Sequence, residues 1–87
     1  MKIILYNTME DLCTLYKLQR QKAKEVLEVL EQQREEIYQK LKFDESSAVL
    51  HKDLRTINLD IKITLNEIEH AEYNIQECES NNNSILN

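Results

Sequence analysis

Two stretches of the chain carry apolar residues at heptad spacing. In the second stretch, steps of 4 and 3 residues link Leu50, Leu54, Ile57, Ile61, Thr64, Ile68, Ala71, Ile75 and Cys78. In the first stretch, the same steps link Met9, Leu12, Tyr16, Gln19, Ala23, Val26, Leu30, Gln33 and Ile37. A helix with such a stripe must cover it in water, so each stretch predicts a helix that packs on the other.

The two stripes together predict an antiparallel hairpin in one register. Leu30 is expected to face Ile57 and Val26 to face Ile61, because the numbers in each pair sum to 87. Gln19, Gln33 and Thr64 interrupt the stripes, either as buried polar residues that fix the register or as residues at exposed edges.

The sequence divides the chain into a lead, a hairpin and a tail. The expected segments are an apolar lead at 1–7, a helical hairpin at 8–79 and a disordered polar tail at 80–87. Within the hairpin, we expect helix 1 at about 8–42, a turn at 43–47 and helix 2 at about 45–79. Asp44 is the favoured N-cap of helix 2, with Ser46 and Ser47 as alternatives. The lead could fold over the end of the hairpin or bind a partner.

Composition supports an all-α fold. The chain has 87 residues with no Gly, Pro or Trp, and 31% of them are charged. Tight turns between strands depend on Gly and Pro, whereas the abundant Glu, Lys, Gln and Leu favour long helices. A hairpin of this size buries only one seam. We therefore expect it to complete a coiled-coil-like bundle with a partner or a second copy.

The charge distribution argues against a nucleic-acid partner. The net charge is −5, and residues 43–87 carry three Lys or Arg against nine Asp or Glu. Nucleic-acid surfaces need a basic stripe, and the second half of the chain is acidic. No apolar stretch is long enough for a signal peptide or a membrane span, so we expect a cytoplasmic protein without a membrane partner.

The two cysteines are too few for a disulfide scaffold. The favoured interpretation is two small separate thiols in a reducing cytosol. Cys13 and Cys78 fall at the same end of the predicted hairpin, however, so a bridge between them stays open.

Candidate catalytic chemistry is sparse, and we expect no enzyme, no catalytic residue and no cofactor. Glu67 and His70 match the Glu-x-x-His spacing of di-iron ligands in helical bundles. Such a site needs two such motifs and further glutamates that all face inward. The one motif here flanks the seam and the sequence contains no second one, so we expect no metal site.

Apolar residues outside the seam predict a second contact surface. Leu59 and Ile63 are four residues apart and point away from the seam of helix 2. Leu15, Leu18 and Leu27 are their counterparts on helix 1. We expect these five residues to bind a partner, because clustered aliphatic side chains with charged neighbours are typical of interfaces.

Several stretches resemble small cytoplasmic chaperones of type III secretion needles, the E component of the needle complex. They are Thr8-Met-Glu-Asp-Leu12, Lys22-Ala-Lys-Glu-Val-Leu27, the acidic turn at Asp44-Glu45, and Ile68-Glu-His-Ala-Glu-Tyr-Asn-Ile75. The likeness covers 8–75 and consists of segment lengths and apolar spacing. It implies a non-enzymatic co-chaperone that pairs with a tetratricopeptide-like helical chaperone and keeps a needle subunit soluble in the bacterial cytoplasm before export.

Other classes of protein remain as alternatives. The chain could be a homodimeric four-helix bundle that acts as an adaptor or structural protein. A co-chaperone could also form a homodimer when its partner is absent. A flagellar-type export chaperone is a further alternative. An enzyme or metalloprotein is disfavoured because the required ligands are missing.

Overall fold

The protein is a hairpin of two long helices. The computed structural model describes the backbone of residues 8–86 and the side chains of residues 12–81. Helix α1 spans Thr8–Leu41 and helix α2 spans Ala48–Leu86. They pack against each other in an elongated molecule of 61 × 25 × 15 Å. The predicted all-α hairpin is therefore confirmed, while the predicted lead at 1–7 lies outside the described residues.

The connection between the helices is short and hydrogen-bonded. The backbone N–H groups of Phe43 and Asp44 both donate to the carbonyl of Lys40, at 3.1 and 3.2 Å, which closes the last turn of α1. The Oγ atom of Ser47 accepts a hydrogen bond from the backbone N–H of Leu50 at 3.2 Å. This is N-cap geometry, so Ser47 caps α2 instead of the favoured Asp44, and α2 begins at 48.

Helix α2 continues beyond its expected end at residue 79. It extends to Leu86, so the stretch 80–86 of the predicted disordered tail is helical. No Gly or Pro interrupts this part of the chain. Asn81 lies beside Leu12 and Tyr16 of α1, and α1 therefore supports the turn of α2 that follows Cys78.

The buried stripe of α2 is the predicted one, but that of α1 is not. All nine predicted seam positions of α2 are buried or half-buried. Among the side chains of α1 that are described, from residue 12 onward, the buried or half-buried ones are Cys13, Tyr16, Arg20, Ala23, Leu27, Leu30, Arg34, Ile37 and Leu41. These positions also follow steps of 3 and 4. Compared with the predicted stripe, every second position is shifted by one residue toward the C-terminus. Leu12 and Val26, predicted as seam residues, are instead exposed.

A disulfide between Cys13 and Cys78 fixes the register of the two helices. Their Cα atoms are 5.7 Å apart, and their numbers sum to 91. The predicted register, with pairs summing to 87, is therefore wrong by about one helical turn, and Leu30 lies level with Ile61 instead of Ile57. Two adjacent stripes of α1 both have heptad spacing, and apolar spacing alone did not distinguish between them.

The disulfide also corrects the favoured interpretation of the cysteines. Separate thiols are wrong, and the bridge that the sequence left open is present. In the predicted register Cys13 would have faced Asn74, one turn away from Cys78. The bond joins the helices at the end opposite the turn, so covalent links hold both ends of the hairpin.

The core is a single thin layer between the two helices. Its buried apolar members are Cys13, Ala23, Ile37, Ile61, Ile68, Ala71, Ile75 and Cys78. Thr64 is also buried, and its hydroxyl donates to the backbone carbonyl of Asp60 at 2.8 Å. Among the side chains described, none of the larger ones is fully buried. A core this thin leaves much apolar surface in contact with water.

Candidate functional site

Four clefts open along one long side of the hairpin. This side carries positions of α1 that recur every seven residues and that each line at least one cleft: Leu12, Gln19, Val26, Gln33 and Lys40. We call it the groove face. It is the side of α1 next to the seam, so a helix placed along it would contact both helices.

One of these clefts lies near the middle of the groove face and has a volume of about 600 Å³; we call it the central cleft. Ala23 and Ala71 are buried in the seam and form its floor. Val26 of α1 and Ile63 of α2 form apolar walls, and both are about half exposed. Because both of these alanine side chains are short, the helices leave a trough there instead of a ridge.

A second apolar cleft extends the trough onto the surface of α1. It is lined by Val26, Val29 and Leu30, with Lys22 and Glu25 at its edge. Val29 is as exposed as Val26. The two clefts share Val26 and Lys22, so together they form one continuous apolar area rimmed by charged side chains, which is the composition of a binding surface.

The two walls of the groove face differ in charge. The residues of α2 that line the clefts include three carboxylates and no Lys or Arg: Asp53, Glu67 and Glu77. Helix α1 contributes Lys22 and Lys40 together with acidic residues. A helix bound in the groove would therefore meet a negative edge on its α2 side.

Polar cross-links lie on the side of the hairpin opposite the groove face. The Nζ atom of Lys17 lies 3.0 Å from a carboxylate oxygen of Glu79, and both side chains are about half exposed. Arg34 donates to the Oδ1 atom of Asn58 at 3.5 Å. Exposed ion pairs contribute little stability, but they cover the seam with polar groups on that side.

Four of the five predicted partner-binding residues are exposed. Leu15, Leu18, Leu59 and Ile63 are 46–57% accessible. Leu27 is half-buried and lies in the seam, level with Thr64. It therefore belongs to the surface between the two helices.

The exposed members do not form one patch. In the observed register Ile63 is level with position 28 of α1. It is therefore roughly 15 Å along the axis from Leu18, at 1.5 Å per residue. Leu15 and Leu18 lie near the disulfide, whereas Ile63 lies beside Val26 in the central cleft.

Sequence reasoning missed Val26 as a surface residue, and it did not include Val29, which lies outside the predicted seam, among the partner-binding residues. Val26 was assigned to the seam because it shares heptad spacing with Leu30 and Ile37. The competing stripe contains Cys13, Leu27 and two arginines. Arginine stems pack along apolar surface while the charged head reaches water, which is the signal that could have identified the true seam.

The described residues contain neither a group of metal ligands nor a membrane-spanning helix. No three His, Cys, Asp or Glu side chains in that part of the chain are grouped so that they could hold a metal ion. Glu67 and His70 both line the central cleft without a third such ligand. Neither helix, as far as it is described, contains a stretch long and apolar enough to cross a membrane.

No protein-family model, curated protein or solved structure matches this chain. A functional assignment therefore depends on the geometry of the hairpin and its groove face.

Proposed function

We propose that the chain is a non-enzymatic binding module that holds an amphipathic helix of a partner protein on its groove face. The central cleft is the observation that carries this proposal. Its alanine floor admits a helix close to the seam, and Val26 and Ile63 offer apolar contacts on both sides. Amphipathic helices bind grooves of this kind through residues spaced three and four apart.

Charge narrows the chemistry of the partner helix. Since the α2 wall presents Asp53, Glu67 and Glu77, we expect Lys or Arg on the partner edge that faces α2. Complementary charges at the rim set orientation and speed association more than they add affinity. The binding free energy would come mainly from covering Val26, Val29 and Ile63.

The narrower proposal is a co-chaperone of a secretion-needle subunit. It is supported by the resemblance over residues 8–75 in segment length and apolar spacing. In this role the groove face would bind a tetratricopeptide-like helical chaperone, and the pair would keep the needle subunit soluble in the bacterial cytoplasm before export.

The disulfide favours a second candidate. Disulfides persist in oxidising compartments and are rare in the cytosol. A homodimeric four-helix adaptor or structural protein outside the reducing cytosol fits the Cys13–Cys78 bond better than a cytoplasmic co-chaperone does. Thiol alkylation in intact cells separates the two: alkylated cysteines favour the cytoplasmic proposal, and protected cysteines favour the adaptor.

Co-purification tests the binding proposal. The chain would be expressed together with a tetratricopeptide-like chaperone and a needle subunit, and the mass of the purified complex would be measured. Ile63→Asp places an unpaired charge in the central cleft and should abolish the complex while circular dichroism stays unchanged. Val49→Asp is the matched control, because Val49 is an exposed aliphatic residue of the same helix and lines none of the four clefts.

Leu27→Asp provides the fold control. Leu27 lies in the seam, so this change should lower helicity and thereby disrupt binding indirectly. Full binding by a helical Ile63→Asp variant would refute the groove face as the binding site. Absence of any complex with the wild-type chain would refute the co-chaperone proposal.

A further inference from the structure

The exposed aliphatic residues of α1 are confined to one part of its surface. Five of its leucines and valines are exposed, each by 43–52%: Leu12, Leu15, Leu18, Val26 and Val29. Four of these five, together with Gln19 and Lys22, form a stripe that follows steps of 3, 4, 3, 4 and 3. We call this set the outer stripe. It has the spacing of a coiled-coil seam, yet no part of the described hairpin covers it.

The outer stripe has the same pattern when read in either direction. Two apolar residues are followed by Gln19 and Lys22 and then by two more apolar residues. The spacing is palindromic as well. A surface that pairs with itself around a two-fold axis needs this property, because each residue of one copy must suit its counterpart on the other.

We propose that a second copy of this chain covers the outer stripe, with the two α1 helices antiparallel. Leu15 then lies against Val26 of the second copy, and Gln19 lies against Lys22 of the second copy. Leu12 lies against Val29 in the same way, so each pair of numbers sums to 41. The product is a symmetric four-helix dimer in which every apolar residue of the stripe meets an apolar one.

Leu18 supports the same register independently. It lies at the edge of the outer stripe, within about one turn of the two-fold axis that a sum of 41 places between positions 20 and 21. The two copies of Leu18 therefore approach each other across the axis. This accounts for the fifth exposed aliphatic residue of α1, which is outside the heptad steps.

Charge distinguishes the antiparallel arrangement from a parallel one. In a parallel pair every residue meets its own copy, so Lys22 would face Lys22. The antiparallel pair replaces that repulsion with a contact between Lys22 and the amide of Gln19. Lys22 also lines the central cleft together with Glu67 of its own hairpin. A polar layer at the centre of an apolar seam fixes register, because any slip would bury these groups against apolar side chains.

The dimer and the proposed partner helix use overlapping surface, since Val26 belongs to both the outer stripe and the central cleft. The dimer inference therefore rests on the proposed function in one respect: both take this face of the hairpin to be covered by a helix of another chain. The two copies would separate before a partner helix could bind. The chain therefore forms the dimer when no partner protein is bound.

Sedimentation of the disulfide-bonded chain tests the dimer. At near-millimolar concentration we expect a mass of twice 10.4 kDa, falling toward the chain mass on dilution. Val26→Asp should weaken the dimer roughly a hundredfold or more, because an unpaired charge would be desolvated in each half of the seam. Val49→Asp, on exposed α2 surface outside the outer stripe, should leave the dimer unchanged.

A charge exchange tests the register. Leu15→Lys and Val26→Glu should each give a monomer, while the double variant should recover the dimer because Lys at 15 then meets Glu at 26 of the second copy. In a parallel pair the double variant would instead place like charges together. Circular dichroism should be the same for all variants, because both residues are about half exposed.

Each outcome decides the inference. A wild-type monomer at near-millimolar concentration would overturn it, although co-purification could still support the proposed partner helix. A dimer that survives Val26→Asp, or a double variant that stays monomeric, would overturn the register. If a charged variant loses helicity, Val26→Ala with Val29→Ala retains helix-forming residues, and an unchanged dissociation constant in that variant would equally refute the inference.

Discussion

The disulfide between Cys13 and Cys78 should be the largest single contribution to the stability of the hairpin. Its two residues are 65 positions apart in the sequence. Cross-linking a loop of this length removes conformational entropy from the unfolded chain, which corresponds to about 4 kcal/mol in the chain-entropy model. The seam that opposes unfolding is thin, with none of its larger described side chains fully buried. Reduction should therefore lower the free energy of unfolding by a large fraction of its total.

Thermal unfolding followed by circular dichroism measures this effect. A loss of about 4 kcal/mol should lower the Tm by roughly 15–30 °C for a domain of this size. Oxidised and reduced protein should be compared at one protein concentration, since dimerisation alone would shift the Tm. Cys13→Ala with Cys78→Ala serves as the control and should melt like reduced wild type, with no response to reductant. Oxidised and reduced forms that melt within a few degrees of each other would refute the reasoning.

Three further predictions follow from the fold. Ile61→Ala should lower the free energy of unfolding by about 2–4 kcal/mol in urea titrations, because Ile61 is buried in the seam; a loss well under 1 kcal/mol would contradict the burial of Ile61. Ser47→Ala should cost about 1 kcal/mol through loss of the cap of α2, whereas Ser46→Ala should cost much less; equal losses would mean that Ser47 is not the cap. Glu79→Gln should change stability by less than about 1 kcal/mol at low salt, because the ion pair with Lys17 is half exposed; a larger loss would show that the pair is more buried than its geometry indicates.

The fold class was predictable from the sequence because one stripe was unambiguous. The seam of α2 from Leu50 to Cys78 has no competitor with the same spacing, and it is buried or half-buried at every predicted position. The predicted end of α1, at about residue 42, also lies within one residue of its observed end at Leu41. Local chemistry and the heptad pattern agree in these segments, and such agreement makes a prediction dependable.

The register was not predictable, because α1 carries two adjacent stripes of nearly equal quality. One contains Leu12 and Val26 with two glutamines, and the other contains Cys13 and Leu27 with two arginines. Apolar spacing alone could not choose between them. The disulfide decides it, since only the second stripe places Cys13 level with Cys78. The choice of the wrong stripe also left Val26 out of the predicted contact surface, because Val26 was placed in the seam.

The candidate site shows the same dependence on register. Ile63 and Leu15 were identified as surface residues from their position outside the seam of their own helices, and both are exposed. The central cleft needed the pairing of α1 with α2, because its floor forms only where Ala23 and Ala71 come together. No single stretch of sequence contains that information.

Solvent accessibility of individual methyl groups tests the central claim, that the groove face is covered by a helix when the protein is assembled. Methyl-labelled chain in its purified complex with the partner protein would be exposed to a soluble paramagnetic agent, and relaxation of each methyl signal would be measured. We predict that Val26 and Ile63 are protected as well as the buried Ile61 is, while Val49 remains accessible. An assembly in which Val26 and Ile63 relax as fast as Val49 would contradict the claim.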